Sequence, residues 1–366
     1  MMKLKLFSRN SALNQQHAHF WLINKIASGY LGLFLLLIVV AFSGCNKKIE
    51  PKLTPTEVQK KFENKCLKDF NLHVRTRQIG HTFWIYLPIK TPIFDYGVSK
   101  EKSDDKETTN KFAINFVDGS FKNSMFSFEY DIVDKKKSKQ EDNGITTTAT
   151  DSYIKAQNNL FTAISGVFFD LKPTNNKNRI DFFCLYIADI KKGIEIRNTF
   201  YLLDFKRYMS GDLPYEEYSQ RLLVDQKGST AIIGDETGSH ITYKDVLMTD
   251  FLTKQIINRV HFKFQRSDFP PSGSFDDTIV DIVADTTLRY YHFENFTNLR
   301  LNNLRLPKVF LYDKKDLLHF GEEQRRGKPQ GKLIHVRFKD GKPEFNEETT
   351  SDQSPSSSPS QTNQSL

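Results

Sequence analysis

Apolar residues at Val58, Phe62, Cys66 and Phe70 recur every four positions, which is one face of a helix. Thr54 as N-cap, Pro55 at the first helical position and Glu57 three residues after the cap mark its start as a capping box. The pattern then changes to alternation. NLHVRTR and HTFWIYLPI read as strands, and KFAINFVDGSFKNSMFSFEYDIV reads as a hairpin turning near Asp118 and Gly119. Two longer blocks follow with the same apparent order. In the first, a helix over Asp151 to Ser165 leads to GVFFDL, RIDFFCLYIADI and IEIRNTFYLLDF. In the second, a helix over Tyr243 to Arg259, capped by Thr242, leads to RVHFKF, DTIVDIVADTT and RYYHFENFTNLRL.

Ala188-Asp189 and Ala284-Asp285 fall at matching points of the two blocks, and the first helix with its strands reads as a degraded third copy. Ordinary alternation of elements in an α+β protein stays open as the alternative. The expected fold is therefore α+β, with repeated units of a helix packed on antiparallel strands. The expected units run over 55–145, 146–240 and 241–346. A short helix near Pro214 to Leu222 and the turn GDETGSH connect the second to the third. Residues 347–366, two glutamates followed by TTSDQSPSSSPSQTNQSL, lack apolar side chains until the last and should be a disordered tail.

Ahead of the first helix lies a different kind of segment. Lys3, Lys5, Arg9 and Lys25 precede the apolar run Leu31 to Phe42, no acidic residue occurs before Glu50, and small residues close the run. At about 1.5 Å per residue the run is too short to cross a hydrocarbon core of about 30 Å, and the order of features is that of a signal peptide. Phe42-Ser43-Gly44-Cys45 resembles the lipobox of bacterial lipoproteins, with Phe where Leu is most common. The resemblance covers residues 1–46. It implies a leader over 1–44 cut before Cys45, a diacylglyceryl group on the Cys45 thiol, and a lipidated tether over 45–54. Acyl chains contribute about 0.8 kcal/mol per buried methylene, and two or three of them hold a protein stably on a membrane. Asn46 after the cysteine implies, by the sorting rule of double-membraned bacteria, the outer membrane in preference to the inner.

Composition changes this picture only in part. The chain carries a net charge of +8, of which four positive charges lie in the leader, leaving +4 on the remainder. That near balance gives no reason to expect nucleic acid as a partner. The 31 Phe and 14 Tyr are enough to fill a sizeable core. With Cys45 lipidated, Cys66 and Cys184 remain. A disulfide between them and two separate core thiols both stay open.

Candidate chemistry is sparse, and no cofactor motif is matched. Asp277, Asp281 and Asp285 invite a metal reading, but in a strand four residues span about 13 Å, too far for two carboxylates to share an ion. The stretch IIGDETGSH brings Asp235, Glu236, Ser239 and His240 around two glycines and reads as a tight turn. His73, His81, His240, His261, His292, His319 and His335 show no zinc-ligand spacing. The basic runs at Lys135 to Lys139 and Gln324 to Lys328 read as solvated loops. The expected function is that of a non-catalytic envelope lipoprotein, binding or scaffolding partner proteins, cell-wall polymer or lipid. A membrane-anchored hydrolase acting on envelope material is the alternative.

Overall fold

Non-local strand pairing governs the architecture. The computed structural model describes residues 54–98, 112–134, 145–169, 179–265, 274–306, 308–323, 332–339 and 342–347. The leader, Cys45, both basic runs and residues 348–366 lie outside the described residues. The chain divides into two compact units, each made of separated segments: 1–102, 142–206 and 224–244 form one, and 103–141, 207–223 and 245–366 the other. The three successive units suggested by the sequence differ from this. Each unit contains a parallel strand pair whose members lie far apart in the chain, and local pattern carries no trace of such a pairing.

The first unit begins with helix α1 (Pro55–Phe70), closed at its start by the expected capping box: Glu57 N donates to Thr54 Oγ1, and Thr54 N to Glu57 Oε2. It ends at Asn71, whose φ of 55° is left-handed, a conformation asparagine tolerates. Strands β1 (Arg75–Ile79) and β2 (Thr82–Ile89) follow, with β3 (Phe94–Val98) after them. Helix α2 (Asp151–Phe168) leads to β7 (Phe182–Asp189) and β8 (Ile194–Tyr201), and β9 (Leu223–Gly228) completes the main sheet in the order β1-β2-β7-β8-β9. β2 and β7 pair in parallel, and the outer pairs β1 with β2 and β7 with β8 are antiparallel. β3 pairs separately with β6 (Ile145–Ala149).

Both faces of β2 and β7 are buried. On one face Phe83 and Phe183 meet Phe62 of α1 and Phe168 of α2, with ring centroids 4.8–5.7 Å apart. On the other, Trp84 and Tyr86 lie beneath the irregular segment 229–244. This alternation also decides the cysteines. Cys66 shares the α1 stripe with Phe62, whereas Cys184 is the register partner of Trp84 and contacts Thr199 on the opposite face. The sheet lies between the two thiols, neither is in a disulfide, and burial pushes the Cys66 thiol up to about 12.

The chain enters the second unit first through strands β4 (Phe112–Lys122) and β5 (Met125–Asp134), and again along helix α3 (Leu202–Met209). Helices α4 (Tyr215–Arg221), α5 (Met248–Gln265) and α6 (Phe275–Ala284) follow, and a π-helical turn (Asp285–Tyr290) continues α6. Then come β10 (Asn298–Asn303), β11 (Lys308–Asp313), α7 (Lys314–Glu323), β12 (Lys332–Lys339) and β13 (Lys342–Glu347). The six-stranded sheet has the order β13-β12-β11-β10-β5-β4, with β5 and β10 parallel. Its core joins Phe126, Phe128 and Tyr130 of β5 to Ile256, Val260 and Phe264 of α5 and to Ile279 and Val283 of α6. Gly119 lies directly opposite Phe128, where a Cβ would come within 2.4 Å of the ring.

The fold is α+β, as expected, but several local readings are corrected. The β4–β5 hairpin turns at Asn123 and Ser124, whose φ values of 50° and 58° are those of a two-residue turn, while Asp118 and Gly119 sit within the strand. Gly166 to Phe168 end α2, RVHFKF lies in α5, and DTIVDIVADTT forms α6 and its π-helical continuation. The second block thus runs helix, helix, strand, and the proposed repeat of helix and antiparallel strands does not extend to it. Val260, Phe262 and Phe264 fit a strand, yet Leu252, Ile256, Val260 and Phe264 fit a helical stripe equally well, and the core selected the latter. The acids Asp277, Asp281 and Asp285 are therefore helical neighbours, about 5–6 Å apart at the Cβ atoms.

Phe183 is fully buried against Phe83, Phe168 and Phe200. Phe183→Ala is expected to cost about 3–5 kcal/mol, read as a lowered urea midpoint for the transition that exposes this core.

Candidate functional site

The most concentrated set of buried ionisable groups in the first unit forms around the turn GDETGSH. Gly234 and Gly238 both adopt positive φ, 73° and 76°, which lets the chain fold tightly around the Asp235 carboxylate. At Gly238 a side chain would also strike Tyr243 and the Tyr86 ring, at 2.9 and 3.0 Å. Within this turn Asp235 accepts from Thr237 N, Thr237 Oγ1 and Gly238 N, each at 2.9 Å, and from Ser239 Oγ at 3.1 Å. The His240 backbone N–H adds a bond of 3.0 Å and its Nδ1 one of 2.6 Å.

Across the turn stands β8, which brings Glu195 to the other side of the imidazole. His240 Nε2 lies 2.8 Å from Glu195 Oε2. The side chains of Glu195, His240 and Asp235 are 0%, 4% and 6% exposed. A neutral imidazole has one N–H, so only the doubly protonated ring donates to both carboxylates at once. Arg197, two residues along β8, holds the other Glu195 oxygen and stacks over the Tyr186 ring at 4.8 Å. Tyr86 seals the group from the sheet side, its ring 5.6 Å from that of His240 and its hydroxyl donating to the Asp235 carbonyl at 2.5 Å.

Burial alone raises a carboxyl pKa. At Asp235 the hydrogen bonds from the His240 ring, the His240 N–H and Thr237 outweigh it and hold the group well below the usual carboxylate range. Tyr86 moves the other way, pushed up by burial and then by the neighbouring Asp235 charge.

Chemically this is a closed clamp. The Ser239 hydroxyl donates to Asp235. Of the residues singled out in the sequence, the structure gathers Asp235, Ser239 and His240. Glu236 turns outward to Lys90 at 2.9 Å. Glu195 and Tyr86 were missed. Glu195 was legible only as an acid alternating with apolar residues in IEIRNTFY, and nothing local tied it to residue 240.

The remaining histidines are dispersed. His81 lies on the Arg179 carbonyl, His261 is half-buried with its pKa lowered by desolvation, and His292 carries a φ of 48°. Asp285 pairs with Arg289. Among the described residues, no group of three His, Cys, Asp or Glu side chains is placed to hold a metal ion.

The second unit contains another polar cluster that sequence reasoning overlooked. Arg221 Nε and Arg259 Nη2 both donate to one oxygen, Glu217 Oε1, at 2.8 and 2.7 Å. Both guanidinium groups lie against the Tyr290 ring, 4.9 and 4.7 Å from its centroid. Glu217 and Arg221 are four residues apart in a predicted helix, and that spacing was the available signal. Arg259 is a cation on the buried stripe between Ile256 and Val260.

Asp235→Asn removes the buried carboxylate that accepts from its own turn and meets the His240 ring, and should cost about 3–5 kcal/mol in urea denaturation. A depressed folded-state pKa contributes stability that is present above the unfolded value, about 3.9, and lost as pH falls through the folded one. Wild-type stability should accordingly fall between about pH 4 and about pH 2, with a shallower slope in Asp235→Asn over the same window. Denaturation midpoints measured across that range check the sign.

No protein-family model, no curated protein and no solved structure matches this chain, so any functional reading rests on its own residues.

Proposed function

We propose that this is an envelope lipoprotein, anchored through Cys45, that binds or scaffolds other envelope components and does not act as a hydrolase. The observation that supports the non-catalytic part is the clamp itself. Asp235, Ser239, His240 and Glu195 are the residue types a hydrolase uses, and here their polar atoms are committed to one another, with the Asp235, His240 and Glu195 side chains almost wholly shielded and Ser239 alone exposed. A general base must reach a substrate proton, and this imidazole is bonded on both sides. Exposed large apolar side chains offer contact surface instead, among them Tyr96 and Ile233 in the first unit and Tyr215 and Leu247 in the second. The anchoring part rests on the lipobox-like FSGC and implies residence at the outer membrane, facing partner proteins, cell-wall polymer or lipid.

Two measurements test the two parts. Cells fed a labelled fatty acid should incorporate label into the wild-type protein and none into Cys45→Ser, which should accumulate as uncleaved precursor; label retained in the variant removes the anchor. Ser239→Ala should cost no more than about 1.5 kcal/mol and should complement a deletion strain as well as wild type. A folded, lipidated Ser239→Ala protein that fails to complement would favour the hydrolase.

A further inference from the structure

We propose that the crevice between α4 and α5 in the second unit binds a phosphate group. Arginine is seldom buried, yet Arg221 and Arg259 are 3% and 9% exposed, and both donate to the same oxygen of Glu217. The next carboxylate, Asp285, is engaged by a further cation, Arg289. Three guanidinium groups, those of Arg221, Arg259 and Arg289, thus gather around Glu217 and Asp285. Tyr290 orients two of them through its ring face but neutralises neither.

The geometry of Arg259 adds a specific deficit. Its Nη2 donates to Glu217, while its Nε is buried with no hydrogen-bond partner. Half of the fork that arginine presents to oxyanions is thus unused. Arg259 also lines a crevice of about 190 Å³ together with Ser219, Gln220, Leu222, Asn258 and Phe262. No carboxylate is among these residues. Gln220 belongs to α4 and Asn258 to α5, so both helices contribute an amide to the lining, beside Arg259, for a tetrahedral anion to meet. A planar carboxylate would use fewer of them. A small shift of the Arg259 side chain toward the crevice would bring its Nε to the ligand. The adjoining π-helical turn, which supplies Tyr290, is a rare element that recurs at functional sites.

This inference stands apart from lipidation of Cys45, because it concerns residues 217–262 and is measured on purified protein. Full-length chain in detergent should bind inorganic phosphate saturably, with one site, in isothermal titration, and acetate at least about tenfold more weakly. Arg259→Lys keeps the charge but loses Nε and the planar fork, so phosphate should bind about tenfold more weakly. Asn258→Asp, on an exposed position that folding does not depend on, should weaken it at least as much by placing a negative charge at the mouth. Vesicles with and without phosphatidylglycerol separate the sources. Saturable inorganic phosphate binding indicates a free phosphate ligand. Binding only to phosphatidylglycerol vesicles, lost in Asn258→Asp, indicates a lipid headgroup. Absence of both, or phosphate and vesicle binding unchanged in Asn258→Asp, overturns the proposal.

Discussion

A sheet buried on both faces needs a cover on each, and in the first unit the second cover has almost no regular structure of its own. Helices α1 and α2 close one side of β2 and β7 with phenylalanine rings. The other side, presenting Trp84 and Tyr86, is closed by residues 229–244, which contain only one short 3-10 turn, Thr230–Ile232. Such a segment lacks a ladder of backbone hydrogen bonds to hold it, so side chains must supply the attachment. The Asp235–His240–Glu195 clamp does this from the polar side, and Trp84 Nε1 bonding the Lys244 carbonyl at 3.1 Å does it from the aromatic side.

Placing two carboxylates and an imidazole in a nearly dry layer is unfavourable unless every charge is met. Here the imidazole faces a carboxylate on each ring nitrogen, and Arg197 completes Glu195. Asp235 receives donors from its own turn as well. The same hydrogen bonds that hold the layer together occupy both ring nitrogens of His240. Conformational specificity follows too. The turn can close only with two glycines at positive φ and with Tyr86 beneath Gly238, so the cover has one seat on the sheet.

The arginine cluster of the second unit is built on the opposite balance. Arg259 Nε is left without a hydrogen-bond partner there, and an open crevice lies beside it. Within the clamp, polar atoms are exhausted internally; around Arg259 they are not.

Amino-acid order by itself determined the features that depend on near neighbours. The capping box at Thr54, the stripe of α1, the existence of α2 and α4, the apolar runs of β2 and β7, the alternation in β8, and the α+β class were all legible, because each rests on contacts within a few residues or on simple local pattern. Only the tertiary structure decided the rest. It made DTIVDIVADTT a helix, because Ile279, Val280, Val283 and Ala284 bury together on one side and Ser274 caps the start, overriding the strand preference of β-branched residues. It began α5 at Met248 and not Tyr243, because Tyr243 and Lys244 are held by Trp84. It placed the sheet between Cys66 and Cys184, joined His240 to Glu195 across 45 residues and Arg259 to Glu217 across 42. Parallel pairing of β2 with β7 and of β5 with β10 creates these meetings, and pairing between distant strands depends on which surfaces bury each other best, a property of the whole folded chain that no local stretch encodes.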